Sequence, residues 1–195
     1  MRKAEIKRKT NETDISLLLN VDGKGEYKID TGIGFLNHML ELFTKHGGFD
    51  LEISCKGDVE VDFHHSAEDI AICLGQAFDK ALGDKAGIFR YGSFLLPMDE
   101  ALALVALDFS GRSYLSLDLN VKNEKVGDFD TELFEEFLQA FAREARLTLH
   151  VKQLAGTNTH HIFEAVFKGL ARAISAAVKI DEKNKDKIPS TKGVL

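Results

Sequence analysis

The two His-His doublets in this sequence are the residues best suited to chemistry. His64–His65 begins the segment HHSAED, and His160–His161 begins the segment HHIFEA at an offset of 96 positions. Each doublet is followed at the same spacing by a glutamate, Glu68 in the first copy and Glu164 in the second. Side chains three or four residues apart lie on one face of a helix, and imidazole and carboxylate groups are ligands for divalent transition metals. The repeated HHxxE pattern therefore predicts metal binding at the beginning of two helices.

A further pair of donors comes from an earlier helix in each half. The apolar residues of Phe35–Phe43 recur in Leu133–Phe141 at an offset of 98, which aligns His38 with Glu136. Adjacent residues on a helix point about 100° apart, so the two histidines of a doublet more readily serve two ions than one. The predicted donors form two sets of four, drawn from His38, His64, His65, Glu68, Glu136, His160, His161 and Glu164. Four protein ligands on an octahedral ion leave open positions, as catalysis requires.

Alternating apolar residues predict the strands that position these helices. Ile15–Val21 alternates before the turn DGKG in the first half. In the second half Ala101–Phe109 alternates before the turn SGR and the strand Leu115–Leu119. We expect both stretches to form hairpins. Another strand follows the first helix of each half, and Val59 with Val61 predicts an extra strand in the first half.

The duplication predicts an α+β protein made of two similar fused halves. Each half would be a mostly antiparallel sheet with two helices on one face, and the two helix layers would pack together. A run of glycines separates the repeats, so we place the first half at 1–88 and the second at 89–180. The charged stretch and short tail at 181–195 form a third segment, for which a solvated end is the default expectation.

Composition excludes several classes of function. Apolar residues make up 44% of the chain and charged residues 29%, a balance typical of a globular protein. There are 25 basic and 31 acidic residues, a net charge of −6, so we expect no nucleic-acid and no membrane partner. The sequence shows neither a signal peptide nor a stretch of about 20 apolar residues, which favours a cytoplasmic protein. Cys55 and Cys73 lack CxxC spacing and are expected to be reduced thiols.

Five segments of the chain resemble one enzyme family. FLNHML, DFHHSAEDIA, SGRSY, HVKQLAGTNTHHIFEAVFKGLARA and IPSTKGVL are similar to the imidazoleglycerol-phosphate dehydratases of histidine biosynthesis, in their monofunctional form. The resemblance implies a hydro-lyase that converts D-erythro-imidazole glycerol phosphate to imidazole acetol phosphate through an imidazolate bound by two metal ions. It also implies halves folded like the second domain of ribosomal protein S5. Trimers would assemble through manganese into a homo-oligomer of 24 subunits, with active sites between subunits.

The resemblance also implies the metal ligands and the metal itself. Two Mn²⁺ ions would bind in each active site, although other divalent transition metals suit the same donors. One ion would take His38, His65, Glu68 and His161, and the other His64, Glu136, His160 and Glu164, with chains sharing the sites. Many members of the family have histidine where this chain has Glu136, so one site here would be more anionic. We expect Mn²⁺ binding to be retained with altered affinity.

Substrate-binding residues follow from the same resemblance. Glu12 would be the catalytic base and would contact the substrate. The other expected contacts are His46, Arg90, Arg112, Lys168, Ser190 and Lys192. Fixed cations suit a phosphate group, and we expect the PSTKGVL tail to fold over it. His150 is expected either to be structural or to support a residue that binds metal or substrate.

Two other classes of function remain open on the residues alone. A noncatalytic metal-binding assembly protein would use the eight donors to join subunits and would need no organised phosphate-binding cations. A dinuclear metal hydrolase would use its ions to activate water instead of binding an azole. Capping of two helix N-termini by histidine is a weak explanation, because capping favours Ser, Thr, Asp or Asn.

Overall fold

The computed structural model describes residues 2–195 and has the same order of main elements in both halves. The first half contains β1 Lys3–Lys9, β2 Thr13–Asn20, β3 Tyr27–Asp30, α1 Gly34–Gly47, β4 Asp50–Gly57 and α2 His64–Leu82. The second half contains β5 Tyr91–Met98, β6 Ala101–Asp108, β7 Tyr114–Asp118, β8 Lys125–Val126, β9 Phe129–Asp130, α3 Leu133–Glu144, β10 Thr148–Ala155 and α4 Thr159–Ala177. The division of the chain between residues 88 and 89 and the third segment at 181–195 stay predictions.

Each half forms a four-stranded sheet with the same topology. The strand order is β1-β2-β4-β3 in the first sheet and β5-β6-β10-β7 in the second. Two of the three strand pairs in each sheet are antiparallel, and the third, β3 with β4 or β7 with β10, is parallel. The predicted fold class, two similar α+β halves with mostly antiparallel sheets, is confirmed.

The predicted hairpins are wrong in both halves. β2 pairs with β1 and β4 instead of turning directly into β3, and β6 pairs with β5 and β10 instead of β7. Alternation identified these strands correctly but carried no information about their partners. β1 and β5 were not predicted, and each half has three strands of its four-stranded sheet before its first helix. The extra strand at Val59 and Val61 is wrong as well, since both residues lie in an exposed turn.

The helix layers pack across the halves. α1 packs against α4, and α2 packs against α3, so helices from different halves pair in both contacts. Phenylalanines fill the layer: the Phe134 and Phe163 rings stack at 3.8 Å, and the Phe78 and Phe141 rings meet edge to face at 5.9 Å. Burying each such ring contributes about 1.5–3 kcal/mol. This packing fixes where the N-termini of α2 and α4 lie relative to α1 and α3.

The segment after α4 folds back onto the connection between the halves. The backbone N–H of Gly87 donates to Lys187 at 2.8 Å, and that of Asp181 donates to Gly87 at 2.7 Å. An added Cβ at Gly87 would lie 2.3 Å from the Lys185 carbonyl oxygen, and the residue has a φ of 73°. Glycine is therefore required where the two segments cross. No helix within residues 2–195 is long and apolar enough to span a bilayer.

Candidate metal centre and phosphate-binding residues

One group of metal donors converges between α1 and α4. His38 on α1 lies beside His160 and Glu164 on α4, and one ligand atom from each residue lies within 4.8 Å of the others. His38 Nε2 is 2.9 Å and His160 Nε2 is 3.1 Å from the same oxygen, Glu164 Oε1. Two imidazole nitrogens and a carboxylate oxygen that face one point match the preferences of Mn, Fe, Co, Ni or Zn.

Glu164 is the most buried member of this group. Burial alone would raise the pKa of its carboxyl, but hydrogen bonds from Lys168, His38 and His160 outweigh that effect and lower the pKa to about 2. Lys168 binds the second oxygen, Oε2, one helical turn along α4. Glu164 is therefore ionised at neutral pH and ready to bind a cation.

The start of α4 presents its histidines in a fixed direction. The Asn158 side chain caps the helix by accepting the backbone N–H groups of His160 and His161, a favourable arrangement for an exposed helix N-terminus. At the start of α2, the Asp62 carboxylate accepts the His64 N–H at 2.7 Å. Both doublets thus occupy first-turn positions, as predicted.

The equivalent donors between α2 and α3 do not converge. His64, Glu68 and Glu136 occupy the positions that correspond to His160, Glu164 and His38, but residues 2–195 contain no second three-donor group as close as the first. Glu68 instead lies 3.5 Å from the Arg143 guanidinium. The two halves share their helix packing and differ in how tightly the donors gather.

His65 and His161 each contact a different carboxylate through Nδ1. His65 lies 3.0 Å from Asp58 Oδ2, and His161 lies 2.7 Å from Glu100 Oε2. These hydrogen bonds are the main cause of the raised pKa of both imidazoles. Neither histidine belongs to the group around Glu164.

Glu12 lies exposed in the turn between β1 and β2, with Oε1 3.8 Å from His65 Nε2. The turn is held against α2 by Asp69, a buried side chain that accepts hydrogen bonds from Arg8 Nε at 2.9 Å and Thr13 Oγ1 at 2.6 Å. The Glu12 carbonyl also accepts the Asp58 N–H at 3.1 Å. The predicted base is thus anchored close to one of the predicted metal ligands.

The predicted phosphate-binding cations include a cluster near the beginning of β5. Arg90 Nε and Nη2 donate to the two oxygens of Asp108 at 2.6 and 3.0 Å, while Nη1 donates to the Pro189 carbonyl at 2.8 Å. The carbonyl carbon of Leu195 lies 2.5 Å from where a Cβ would stand on Gly111, next to Arg112. Ser190 and Lys192 lie in the turn between these two contacts, where the Ser190 Oγ accepts the Lys192 N–H at 3.1 Å. The tail is therefore docked beside Arg90 and Arg112.

Lys168 lies at the other end of β5. Its Nζ is 3.3 Å from the sulfur of Met98, the last residue of the strand, whereas Arg90 directly precedes the first. Eight residues of strand span about 26 Å. Within one chain, Lys168 therefore belongs with the metal donors and is far from the Arg90 cluster.

His46 and His150 have different surroundings. Burial lowers the pKa of His46, and the positive charges of Lys168 and Arg172 add to this effect, which places His46 on the Lys168 side of the molecule. His150 is exposed on the outer face of the second sheet, with its ring 5.8 Å from that of Tyr114. It does not belong to the group of donors around Glu164.

A cleft of about 460 Å³ opens beside His38 and His160. Phe35 lines the cleft together with the β8–β9 hairpin, which contributes Gly127 and Phe129. The Phe35 and Phe129 rings lie 5.3 Å apart. The converging donors thus face a space that admits a small molecule.

Comparison with known proteins identifies the family. The family model described as imidazoleglycerol-phosphate dehydratase matches residues 31–174. An imidazoleglycerol-phosphate dehydratase of Caldanaerobacter subterraneus subsp. tengcongensis is 60% identical over 195 residues, which cover all of both chains. One of Bacillus licheniformis is also 60% identical over the full length of both chains. The chain belongs to the imidazoleglycerol-phosphate dehydratase family.

Solved structures of this family have the same fold. The crystal structure of the Staphylococcus aureus imidazoleglycerol-phosphate dehydratase has a TM-score of 0.84 and 44% identity, covering 91% of this chain and 99% of that one. The Pyrococcus furiosus structure has a TM-score of 0.84 and 40% identity, covering 97% of this chain and all of that one. The resemblance seen in the sequence motifs is confirmed over nearly the whole fold.

The ligand sets implied by the resemblance draw on neighbouring chains and stay a prediction, and within one chain the structure groups the donors differently. That division separates His38 from His160 and Glu164, whereas the packing of α1 on α4 brings these three together in one chain. The spacing of residues within one helix could not reveal this contact, because His38 and Glu164 are 126 residues apart.

Three residues of the site were missed by the sequence analysis. Asp58 and Glu100 contact histidines that are predicted to bind metal, and Asp69 anchors the turn that carries Glu12. Asp69 carried a usable signal, since it falls on the buried face of α2, where an unpaired carboxylate is costly. Asp58 and Glu100 are ordinary loop acids whose role depends on which strand ends meet the helices.

Proposed function

We propose that the enzyme removes water from imidazole glycerol phosphate, giving imidazole acetol phosphate, with two Mn²⁺ ions held by its histidine and glutamate donors. Family membership makes the chain a hydro-lyase of histidine biosynthesis, so the open questions concern its metals and residues. The convergence of His38, His160 and Glu164 carries the proposal. An ionised carboxylate and two imidazoles beside an open cleft suit a metal ion that keeps positions free for substrate.

The donor set fits manganese or a similar divalent ion. All eight donors offer nitrogen or oxygen, and both thiols are buried away from water. Burial raises the pKa of the Cys73 thiol to about 12, which disfavours the thiolate that a metal would need. When bound, the ions would coordinate the ring nitrogens of the azole and favour its deprotonated form.

We infer a grouping of ligands that follows the helix packing. His38, His160 and Glu164 form one set, and the internal repeat assigns His64, Glu68 and Glu136 to the other. His65 and His161 lie outside the converged group and contact Asp58 and Glu100. Each would supply the fourth ligand of a set in a neighbouring subunit, so sites would be completed between chains.

The phosphate contacts support the same conclusion. Lys168 lies beside the metal donors at one end of β5, and Arg90 lies at the opposite end of this strand, whose eight residues span about 26 Å. A small substrate cannot bridge that distance within one chain. We propose that the Arg90 cluster of one subunit, with Arg112, Ser190 and Lys192, holds the phosphate of a substrate bound at the metals of another subunit.

Glu12 is proposed as the base that removes a proton from the substrate carbon. It is exposed, has no hydrogen-bonded cation on its carboxylate in residues 2–195, and lies 3.8 Å from the predicted metal ligand His65. A positioned general base contributes about 10²- to 10⁴-fold to a rate. His46, whose lowered pKa favours the neutral imidazole, is proposed to contact substrate on the Lys168 side.

Assembly and location form part of the proposal. Large apolar side chains are exposed on the outer face of the second sheet, among them Tyr91 at 59%, Leu95 at 52% and Tyr114 at 59% exposure. Grouped exposed apolar residues mark interaction surfaces, and they support a homo-oligomer, for which 24 subunits is the family expectation. We propose a cytoplasmic location, since two reduced buried thiols suit a reducing compartment.

The deciding experiment follows turnover before and after metal removal. After the metal is removed with a chelator, the enzyme should no longer form the product from imidazole glycerol phosphate. Product formation is followed by the absorbance of the enolised ketone. Mn²⁺ should restore it, and Mg²⁺, which prefers oxygen ligands, should restore it poorly. A triazole phosphonate should compete with substrate, whereas a dinuclear hydrolase would favour a phosphoester or amide. Full turnover by metal-free enzyme, or metal binding without any turnover, would contradict the proposal.

A further inference from the structure

The two histidines outside the converged group share one geometry. Glu100 Oε2 lies 2.7 Å from Nδ1 of His161, and Asp58 Oδ2 lies 3.0 Å from Nδ1 of His65. In both rings the other nitrogen, Nε2, lies beyond hydrogen-bond distance of its neighbouring acid, at 3.7 Å from Asp99 and 3.8 Å from Glu12. A carboxylate at Nδ1 fixes the tautomer that leaves Nε2 as a lone-pair donor.

The two supporting carboxylates come from positions that are not equivalent. Glu100 directly precedes β6, and its counterpart before β2 is Glu12. Asp58 directly follows β4, and its counterpart after β10 is Gly156, which has no side chain. Each half therefore has one acid for this task but takes it from a different strand end.

Because of this asymmetry, one of the three acids, Glu12, does not hydrogen-bond to a histidine Nδ1. In the second half the acid before the strand, Glu100, is committed to His161 and also accepts the N–H groups of Thr157 and Asn158. In the first half Asp58 performs the equivalent task for His65. Glu12, the counterpart of Glu100, therefore keeps a free carboxylate beside the site.

We propose that Glu100 and Asp58 are positioning residues, which hold the Nδ1–H of His161 and His65, leave each Nε2 free for a metal ion, and release Glu12 for the substrate. The inference rests on the proposed metal-dependent function and adds the division of tasks among three acids. Carboxylates behind metal-bound histidines orient the ring and increase its basicity, and their loss costs about 10- to 100-fold in metal affinity or activity.

Glu100 also has structural contacts, which the test variant has to preserve. Its two backbone contacts anchor the loop before α4, and the amide oxygen of glutamine could still accept those N–H groups. Glu100→Gln therefore removes the charge behind His161 while keeping an acceptor for the loop. Asp58→Asn is the matching change behind His65, and it provides an independent measurement on the other half.

The test is Mn²⁺ titration of the metal-stripped full chain, with free Mn²⁺ followed by electron paramagnetic resonance. We expect Glu100→Gln and Asp58→Asn each to weaken binding of one class of ion by about 10- to 100-fold. Glu12→Gln is the matched control and should lose turnover with unchanged Mn²⁺ affinity. Wild-type affinity in both supporting variants, or an equal loss of affinity in Glu12→Gln, would overturn the division of tasks.

Thermal unfolding in chelator separates positioning from folding. A lowered midpoint in Glu100→Gln combined with unchanged Mn²⁺ affinity would show a structural role and contradict the proposal. Wild-type chain that binds no Mn²⁺ would refute the proposed function, and this inference with it. Wild-type binding with unaffected supporting variants would refute the inference alone.

Discussion

The two helix pairs of this enzyme have the same architecture but different donor clusters. Between α1 and α4, His38 approaches Glu164 to 2.9 Å. Between α2 and α3, the residue equivalent to His38 is Glu136, and the donors there stay apart. An imidazole can donate a hydrogen bond to a carboxylate, whereas two carboxylates repel each other. The difference in residue type at this position thus favours a gathered donor group between α1 and α4 over one between α2 and α3.

The difference also changes what a metal must do on binding. At the α1–α4 site the negative charge of Glu164 is already paired with Lys168, and two imidazoles hydrogen-bond to its carboxylate. At the α2–α3 site Glu68 turns to Arg143 instead, and Glu136 adds a second negative charge. A divalent cation there must draw the carboxylates together and replace an arginine contact, so binding and local rearrangement are coupled.

Replacing equivalent histidines should produce the largest effects and should separate the two sites. We expect His160→Ala and His64→Ala each to reduce turnover by more than about 100-fold, because even residues behind a metal ligand contribute 10- to 100-fold. In chelator, only His160→Ala should lower the free energy of unfolding, by about 1 kcal/mol for its hydrogen bond to Glu164. Urea unfolding at fixed protein concentration measures this difference, and equal losses in the two metal-free variants would contradict it.

Glu136→His should make the second site resemble the first. The new imidazole could donate to Glu68 as His38 donates to Glu164, which should stabilise the metal-free protein by about 1 kcal/mol. Mn²⁺ should then add less further stability than it adds to the wild type. Thermal unfolding with and without Mn²⁺ tests both expectations, with Glu135→His on the same helix as a control. A variant no more stable than wild type without metal would argue against repulsion as the cause.

The smallest expected effect is a pH dependence of stability that arises from the donor group between α1 and α4. The pKa of Glu164 is lowered from 4.5 to about 2 in the folded chain. Its stabilising effect should thus be complete above pH 4.5 and disappear as the pH falls towards 2. In chelator, the stability difference between wild type and Glu164→Gln should shrink over that range. A difference that stays constant from pH 6 to pH 3 would contradict the ionised, hydrogen-bonded carboxylate.

The sequence predicted the helices far better than the strand partners. Apolar spacing and the glycine stop located α1, whose end is capped by Gly48 at a φ of 73°. β1 escaped detection because its residues, KAEIKRK, are charged and only Ala4 is fully buried, as is typical of an edge strand. β5 lacks alternation and contains Pro97. Strand pairing depends on contacts distant in sequence, which the turn motifs could not indicate.

For the candidate site, too, the sequence predicted relations within one helix and missed contacts between elements. Donors on one helix, such as His160 and Glu164, could be paired from their spacing alone. The contact of His38 with Glu164 could not, because it depends on packing between helices from different halves. Asp58 and Glu100 carry no local pattern at all, and only the meeting of strand ends with the helix starts assigns them a role.

The buried Asp69 has a mechanical consequence for the enzyme. Through Arg8 and Thr13 it fastens the turn bearing Glu12 to α2, the same helix that carries His64, His65 and Glu68 near its start. Glu12, the proposed proton acceptor, and the predicted ligands on α2 are therefore held together as one unit. If α2 shifts when its side chains bind a cation, Glu12 would move with it. Metal binding would then also position the Glu12 carboxylate.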